Sequence, residues 1–109
     1  MSRDRLTGRV EERRDRTMGA IRMPERGLVV EGNDLDVYSV IEGQPLSAFC
    51  RAERAMQMSR PGWKIRVETV STLSADATDW RLTNAVDAYE NGVRIFTKAW
   101  DRAIPRDHV

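Results

Sequence analysis

The second half of the chain alternates between apolar and polar residues with a period of two. This pattern is typical of a strand with one buried face and one solvated face. It predicts three long strands, over Trp63–Leu73, Trp80–Glu90 and Val93–Trp100. The tripeptide Arg60-Pro61-Gly62 predicts a turn before the first of them. Asn91-Gly92 between the last two is the strongest short hairpin signal. The three strands therefore form an antiparallel meander.

The last of these strands breaks the simple alternation. Phe96 and Trp100 fall on the phase opposite that of Val93 and Ile95. Two explanations stay open: the strand is covered on both faces, or a β-bulge shifts its register.

Turn residues divide the first half into shorter apolar runs. Leu28–Val30 predicts a short strand and Glu31–Asp34 predicts a turn, because Gly32 and Asn33 both tolerate positive φ. Residues 35–41 alternate again. Since a sheet of two or three strands is marginal alone, the first half must cover or extend the meander.

Residues 46–58 fit two structures. Ala48, Ala52 and Ala55 favour a helix by propensity, and Ser47 could cap it. The same segment also alternates, as a strand would. Both readings remain open at this point.

The chain begins with a run of mixed charge. Residues 1–17 form a charged N-terminal arm or an edge strand, and residues 18–109 form the antiparallel β domain. The predicted fold is therefore all-β: a single domain whose antiparallel meander forms a curved sheet, a sandwich or a barrel-like structure, with a short helix at 46–58 as the alternative.

Charge and cysteine content narrow the partners and the compartment. The chain has 109 residues, 18 Lys and Arg against 17 Asp and Glu, and a net charge of +1. This balance gives no general attraction to nucleic acid or to an anionic membrane. The single cysteine, Cys50, fits a reducing compartment and is predicted to be a buried structural thiol. With no apolar signal segment at the N-terminus, the expected location is cytoplasmic.

Several short segments match a known family in order and spacing. They are Gln44–Ala48, Ser59–Thr69, Ser74–Asp76, Asp87–Glu90 and Trp100–Asp107. In these segments the chain resembles the extreme C-terminal tail of bacterial CocE/NonD-type hydrolases, the S15 family related to X-prolyl dipeptidyl peptidases. The resemblance covers about two thirds of the chain. It implies a β-rich accessory segment beyond the Ser-His-Asp hydrolase domain and its jelly roll, with no catalytic residue of its own, and it makes residues 46–58 a strand.

The residue types and their spacing also predict that the chain has no catalytic site. No G-x-S-x-G elbow occurs, and the only histidine, His108, stands next to the C-terminal residue. One Cys and one His do not supply a zinc site, and Asp34 with Asp36 lack the EF-hand spacing, so a solvated turn is expected there. We therefore predict no catalytic residue, no metal and no cofactor.

The aromatic residues and the carboxylates have structural and functional readings. Trp63, Trp80 and Trp100 lie on the apolar phase of their strands, so they are predicted to form the core. The functional alternative is a ligand pocket in a closed barrel, lined by these three residues and Phe96. The carboxylates Glu53, Glu68, Asp87 and Glu90 are predicted to form cross-strand ion pairs on the wet face.

The leading hypothesis is a non-catalytic accessory module that packs on a hydrolase domain or forms a homo-oligomer. The chain on its own is predicted not to be an enzyme. The alternative is a barrel that binds a small hydrophobic ligand, and a third hypothesis gives the charged arm a docking role. No nucleic acid or membrane partner is expected.

Overall fold

In the part of the chain that the structure describes, seven antiparallel strands form one open sheet in strict chain order. The structure is a computed structural model that describes residues 2–3, 6, 8–25 and 27–106. Each strand pairs with the next along the chain, so the sheet is a meander with the order β1 to β7. The strands are β1 (Ser2–Arg3), β2 (Arg9–Met23), β3 (Leu28–Ile41), β4 (Gln44–Arg60), β5 (Trp63–Ala75), β6 (Asp79–Glu90) and β7 (Val93–Pro105). The all-β antiparallel prediction is confirmed.

The tight turns form where the sequence predicts them. Gly62 has a φ of 80° behind Pro61, and Asn91 and Gly92 have φ of 49° and 80° between β6 and β7. Positive φ at both central residues is the type I′ geometry whose twist matches that of the flanking strands. The Asn91 N–H donates to the Lys64 carbonyl over 2.8 Å, and its Oδ1 accepts from the Lys64 N–H over 2.9 Å. This turn therefore also holds the start of β5.

The bulge explanation for β7 is confirmed. The pairing of β6 with β7 shifts by one residue between Ala88 and Tyr89, because Ala88 pairs with Phe96 whereas Tyr89 pairs with Arg94. Ile95 is the extra residue. The shift brings Val93 to the same face as Phe96 and Trp100, which removes the conflict in the alternation.

Residues 46–58 lie in strand β4, so the helix alternative is wrong. From Phe49 to Ser59 the strand pairs on both sides, with β3 and with β5. Two neighbouring ladders satisfy the backbone of this segment, and this outweighs the small helix preference of its alanines.

The predicted turn at residues 31–34 is also wrong, because this segment lies in the middle of β3. Gly32 has no positive φ there. A Cβ built on Gly32 would stand 2.9 Å from the Ala55 carbonyl oxygen of β4. At this position glycine therefore allows the backbones of β3 and β4 to approach closely, and it does not reverse the chain.

The charged N-terminal run is mostly strand. Residues 9–17 form the first part of β2 and pair with residues 33–41 of β3. The boundary that the sequence places between residues 17 and 18 falls inside this strand. A second bulge follows at once, between Met18 and Ile21.

No described residue is fully buried, because nothing in the structure covers either face of the sheet. Trp63, Trp80, Trp100 and Cys50 are only half-buried. The predictions that the tryptophans form an interior core and that Cys50 is a buried thiol are therefore wrong for this single layer. The radius of gyration is 18.3 Å, whereas a compact domain of this length has about 13 Å.

Replacing Gly32 by alanine should destabilise the sheet. The new methyl group forces β3 and β4 apart at the Ala55 carbonyl, and overpacking of this kind costs about 1–3 kcal/mol. Gly19→Ala is the matched control, because a Cβ there meets nothing within 4 Å. Urea unfolding followed by tryptophan fluorescence measures both. Equal midpoints for the two variants would contradict the role assigned to Gly32.

Candidate interaction face

The strand registers divide the side chains between two faces. Directly paired residues share a face, and successive residues along a strand alternate between faces. One face carries Trp63, Trp80 and Trp100, and we call it the tryptophan face. The opposite face, which carries Arg66, Glu68 and Thr72, is the polar face. This assignment agrees with the alternation predicted for β5.

Two consecutive rows of the tryptophan face form an apolar band across the sheet. The first row carries no charge from β2 to β7 and consists of Met18, Gly32, Met56, Val67, Ala88 and Phe96. The second row consists of Ile21, Val30, Met58, Ile65, Glu90 and Val93. Glu90, at the end of β6, is its single charge.

The apolar band is open to solvent. Met56 is 53% exposed and Phe96 is 51% exposed. Among the described residues, twelve large apolar side chains are exposed, and nine of them lie on the tryptophan face. Apolar patches that cross a whole sheet without a cover mark interaction sites.

A charged cluster lies beside the band on the same face. The Arg54 guanidinium is 2.8 Å from an Asp36 carboxylate oxygen and 3.6 Å from one of Asp34. The hydrogen bond to Asp36 raises the pKa of Arg54 above its ordinary value. The predicted solvated turn at Asp34 and Asp36 is wrong, because both residues lie in β3 and face Arg54 of β4.

Each tryptophan has a cation over its ring. Arg60 lies 5.0 Å from the Trp63 ring centre, Lys98 lies 4.9 Å from that of Trp100, and Arg106 lies 5.1 Å from that of Trp80. These contacts hold the indoles against the sheet where no second layer packs on them.

The four residues of the proposed ligand pocket share the tryptophan face but do not converge. Trp100 lines an open groove of about 530 Å³ with Leu82 and Val86. Trp63, Trp80 and Phe96 do not line it. The sheet also stays open, because among the described residues β7 does not pair with β1 or β2.

Three of the four singled-out carboxylates lie on the polar face. Glu68 and Asp87 are directly opposite each other. Arg66 bonds Glu68 over 2.6 Å, and Arg94 lies 3.9 Å from Asp87. The predicted cross-strand pairing is thus wrong for Glu68, whose partner is in its own strand.

The other two carboxylates also depart from that prediction. Glu53 pairs with Arg51 of its own strand over 3.2 Å. Glu90 lies in the apolar band and not on the wet face. Side chains two residues apart on one face of a strand are close enough to pair, and this local option is used here.

Few groups with reactive chemistry are brought together. The part of the chain that the structure describes has no cluster of three or more His, Cys, Asp or Glu placed to hold a metal ion. His108 lies outside the described residues. Residues 2–3, 6, 8–25 and 27–106 include no helix with the length and apolar character needed to cross a bilayer.

Sequence reasoning missed the apolar band. Met56 and Met58 are visible as apolar residues in the sequence, but their alignment with Met18 and Phe96 depends on the five strand pairings from β2 to β7. Only the registers place these residues in line.

Comparison of the chain with protein families, with characterised proteins and with solved structures finds no match.

The corner between β5 and β6 is fixed by one carboxylate. Asp76 Oδ1 accepts hydrogen bonds from the backbone N–H groups of Thr78 and Asp79 over 2.9 and 2.7 Å. The bonds from Thr78 and then Asp79 lower the pKa of Asp76 below its ordinary value of 3.8. Arg106 donates to the Asp76 carbonyl over 2.6 Å, which joins the end of β7 to this corner.

Asp76 should make the fold sensitive to acid. Because its pKa is lower in the folded chain than in the unfolded chain, its charge stabilises the fold above the unfolded value, and this contribution is lost as the pH falls through the folded value. Asp76→Asn keeps an acceptor oxygen but loses the charge. We expect the wild type to exceed Asp76→Asn in stability at pH 6, with a gap that narrows below about pH 4. Urea midpoints from pH 6 to pH 2 measure it. A gap that does not change with pH would contradict the assignment.

Proposed function

We propose that this chain is a non-catalytic β module whose tryptophan face packs against a larger protein body. The exposed apolar band carries this proposal. A single sheet with an uncovered apolar row across six strands has the surface of half a β-sandwich, the other half being supplied from outside.

The exposed area supports a large interface. A compact monomer of 12.5 kDa exposes about 6200 Å², whereas this chain exposes 8203 Å². The difference of about 2000 Å² lies at the lower end of the total surface area that permanent complexes bury. The interface is therefore expected to be part of the native structure rather than a brief encounter.

The proposed partner follows from the resemblance to the tail of CocE/NonD-type hydrolases. In that reading the body is a serine hydrolase, and the module covers one of its surfaces without contributing to the active site. The sequence contains no G-x-S-x-G elbow, which favours a non-catalytic role for the module.

A binding experiment with a matched pair of variants tests the proposal. The probe is a CocE/NonD-type hydrolase truncated before its own C-terminal tail, titrated calorimetrically with the full chain. Val67→Arg places a charge in the apolar band, so it should weaken binding at least tenfold, which corresponds to about 1.4 kcal/mol. Val70→Arg makes the same change three residues further on, on the polar face, and should leave binding unchanged.

Two outcomes would contradict the proposal. One is equal loss of binding in both variants, or no binding by the wild type. The other is hydrolysis of p-nitrophenyl esters or aminoacyl-proline amides by the purified chain at rates well above buffer.

A further inference from the structure

The two edges of the sheet differ in how they are protected. The outer edge of β2 is partly covered by β1, which pairs with Val10 and Glu11, and its central residues are dense in charge of both signs. Mixed charge and short cover strands keep an edge from pairing with another chain. The β2 edge is therefore closed to further strands over this stretch.

The outer edge of β7 has no cover strand within the described residues, and its β-bulge lies near its start, at Ile95. It is 13 residues long, and proline stands only at its last position. Val93 is 66% exposed and Ile104 is 47% exposed. Within the described residues β7 pairs with β6 alone. Unpaired N–H and C=O groups along such an edge form a template for one more strand.

The sequence of β7 is complementary to itself about its midpoint. Ala99 is the central residue of Val93–Pro105. When a second β7 is laid antiparallel with Ala99 opposite Ala99, each Lys98 stands opposite Trp100 of the other copy, and each Arg102 stands opposite Phe96. On the polar face, each Thr97 then stands opposite Asp101. Between Phe96 and Arg102 each cation thus faces an aromatic ring, and the carboxylate faces a hydroxyl.

The neighbouring registers lack this complementarity. Paired residues must share a face, so the register moves in steps that shift the centre by one residue. A centre at Lys98 places the two Lys98 side chains opposite each other. A centre at Trp100 places Lys98 opposite Arg102. Like charges directly opposite destabilise a strand pair.

We propose that β7 pairs with β7 of a second copy of this chain about a two-fold axis at Ala99. The pair joins two sheets into one sheet of double width and uses residues 96–102 of each strand, the stretch that follows the β-bulge at Ile95. The Lys98–Trp100 contact that forms within one chain at 4.9 Å then also forms between chains. The tryptophan faces lie on the same side of the joined sheet and remain uncovered, so this proposal is independent of the packing on a larger body.

Crosslinking tests the register. In a Cys50→Ser background, Ala99→Cys brings two thiols together at the axis, where opposed Cα atoms are about 4.5–5.5 Å apart, a separation that a disulfide spans. Thr97→Cys and Asp101→Cys should each fail to crosslink alone and should crosslink with each other when mixed. We expect the Ala99→Cys dimer to form about tenfold more than either single control.

Light scattering on the full chain tests the assembly itself. The wild type should have twice the 12.5 kDa mass of one chain. Ala99→Lys puts two ammonium groups opposite each other and should raise the dissociation constant severalfold. Thr97→Lys, on the same strand and face, gains Asp101 as a partner and should retain the dimer. A monomer at every concentration, open-ended growth, or crosslinking of Thr97→Cys with itself would overturn the proposal.

Discussion

The backbone ladder between neighbouring strands holds this molecule together without the help of a core. In most domains a sheet is fixed by burial of one face against another layer, and hydrogen bonds add specificity. Here six successive antiparallel pairings provide the order, and half-buried side chains lie in rows across them. The free energy of folding then depends on contacts between residues directly opposite each other. At Gly32 two backbones approach closely, so this position constrains the pairing of β3 with β4.

Side chains that would normally be shielded by a second layer find partners within the sheet. The indoles lie beneath the cations of Arg60, Lys98 and Arg106, and Arg54 bridges two aspartates of a neighbouring strand. Such contacts are individually modest at a solvated surface. Each cation covers one face of an indole ring, and the rows of the apolar band stay free. The surface that remains is thus divided: charged side chains lie together over β2 to β4, and the band beside them carries Glu90 as its single charge.

Much of the fold could be predicted from the sequence, because turns and alternation are local signals. Asn91-Gly92 and Pro61-Gly62 have one favourable geometry each, and the three strands after Trp63 follow from a period of two. The errors arose where one residue serves two purposes. Gly32 permits a turn and also permits a close approach, and only the neighbouring strand decides between them. The apolar band was out of reach for a related reason, since its members are brought together by pairings between strands that are distant along the chain.

The β-bulges of β2 and β7 lie at the same level of the sheet. One follows Met18 in β2 and the other adjoins Phe96 in β7, and these residues are the two ends of the same charge-free row. In β2 and in β7 the alternation of side chains between the faces therefore restarts after the bulge. Between these two strands, the row continues without a register shift across β3 to β6. Bulges increase the local twist. We therefore expect β2 and β7 to twist out of the mean plane of the sheet at the level of this row. The sheet then bends at the level of the two bulges, and any surface that packs on the tryptophan face has to match this curvature.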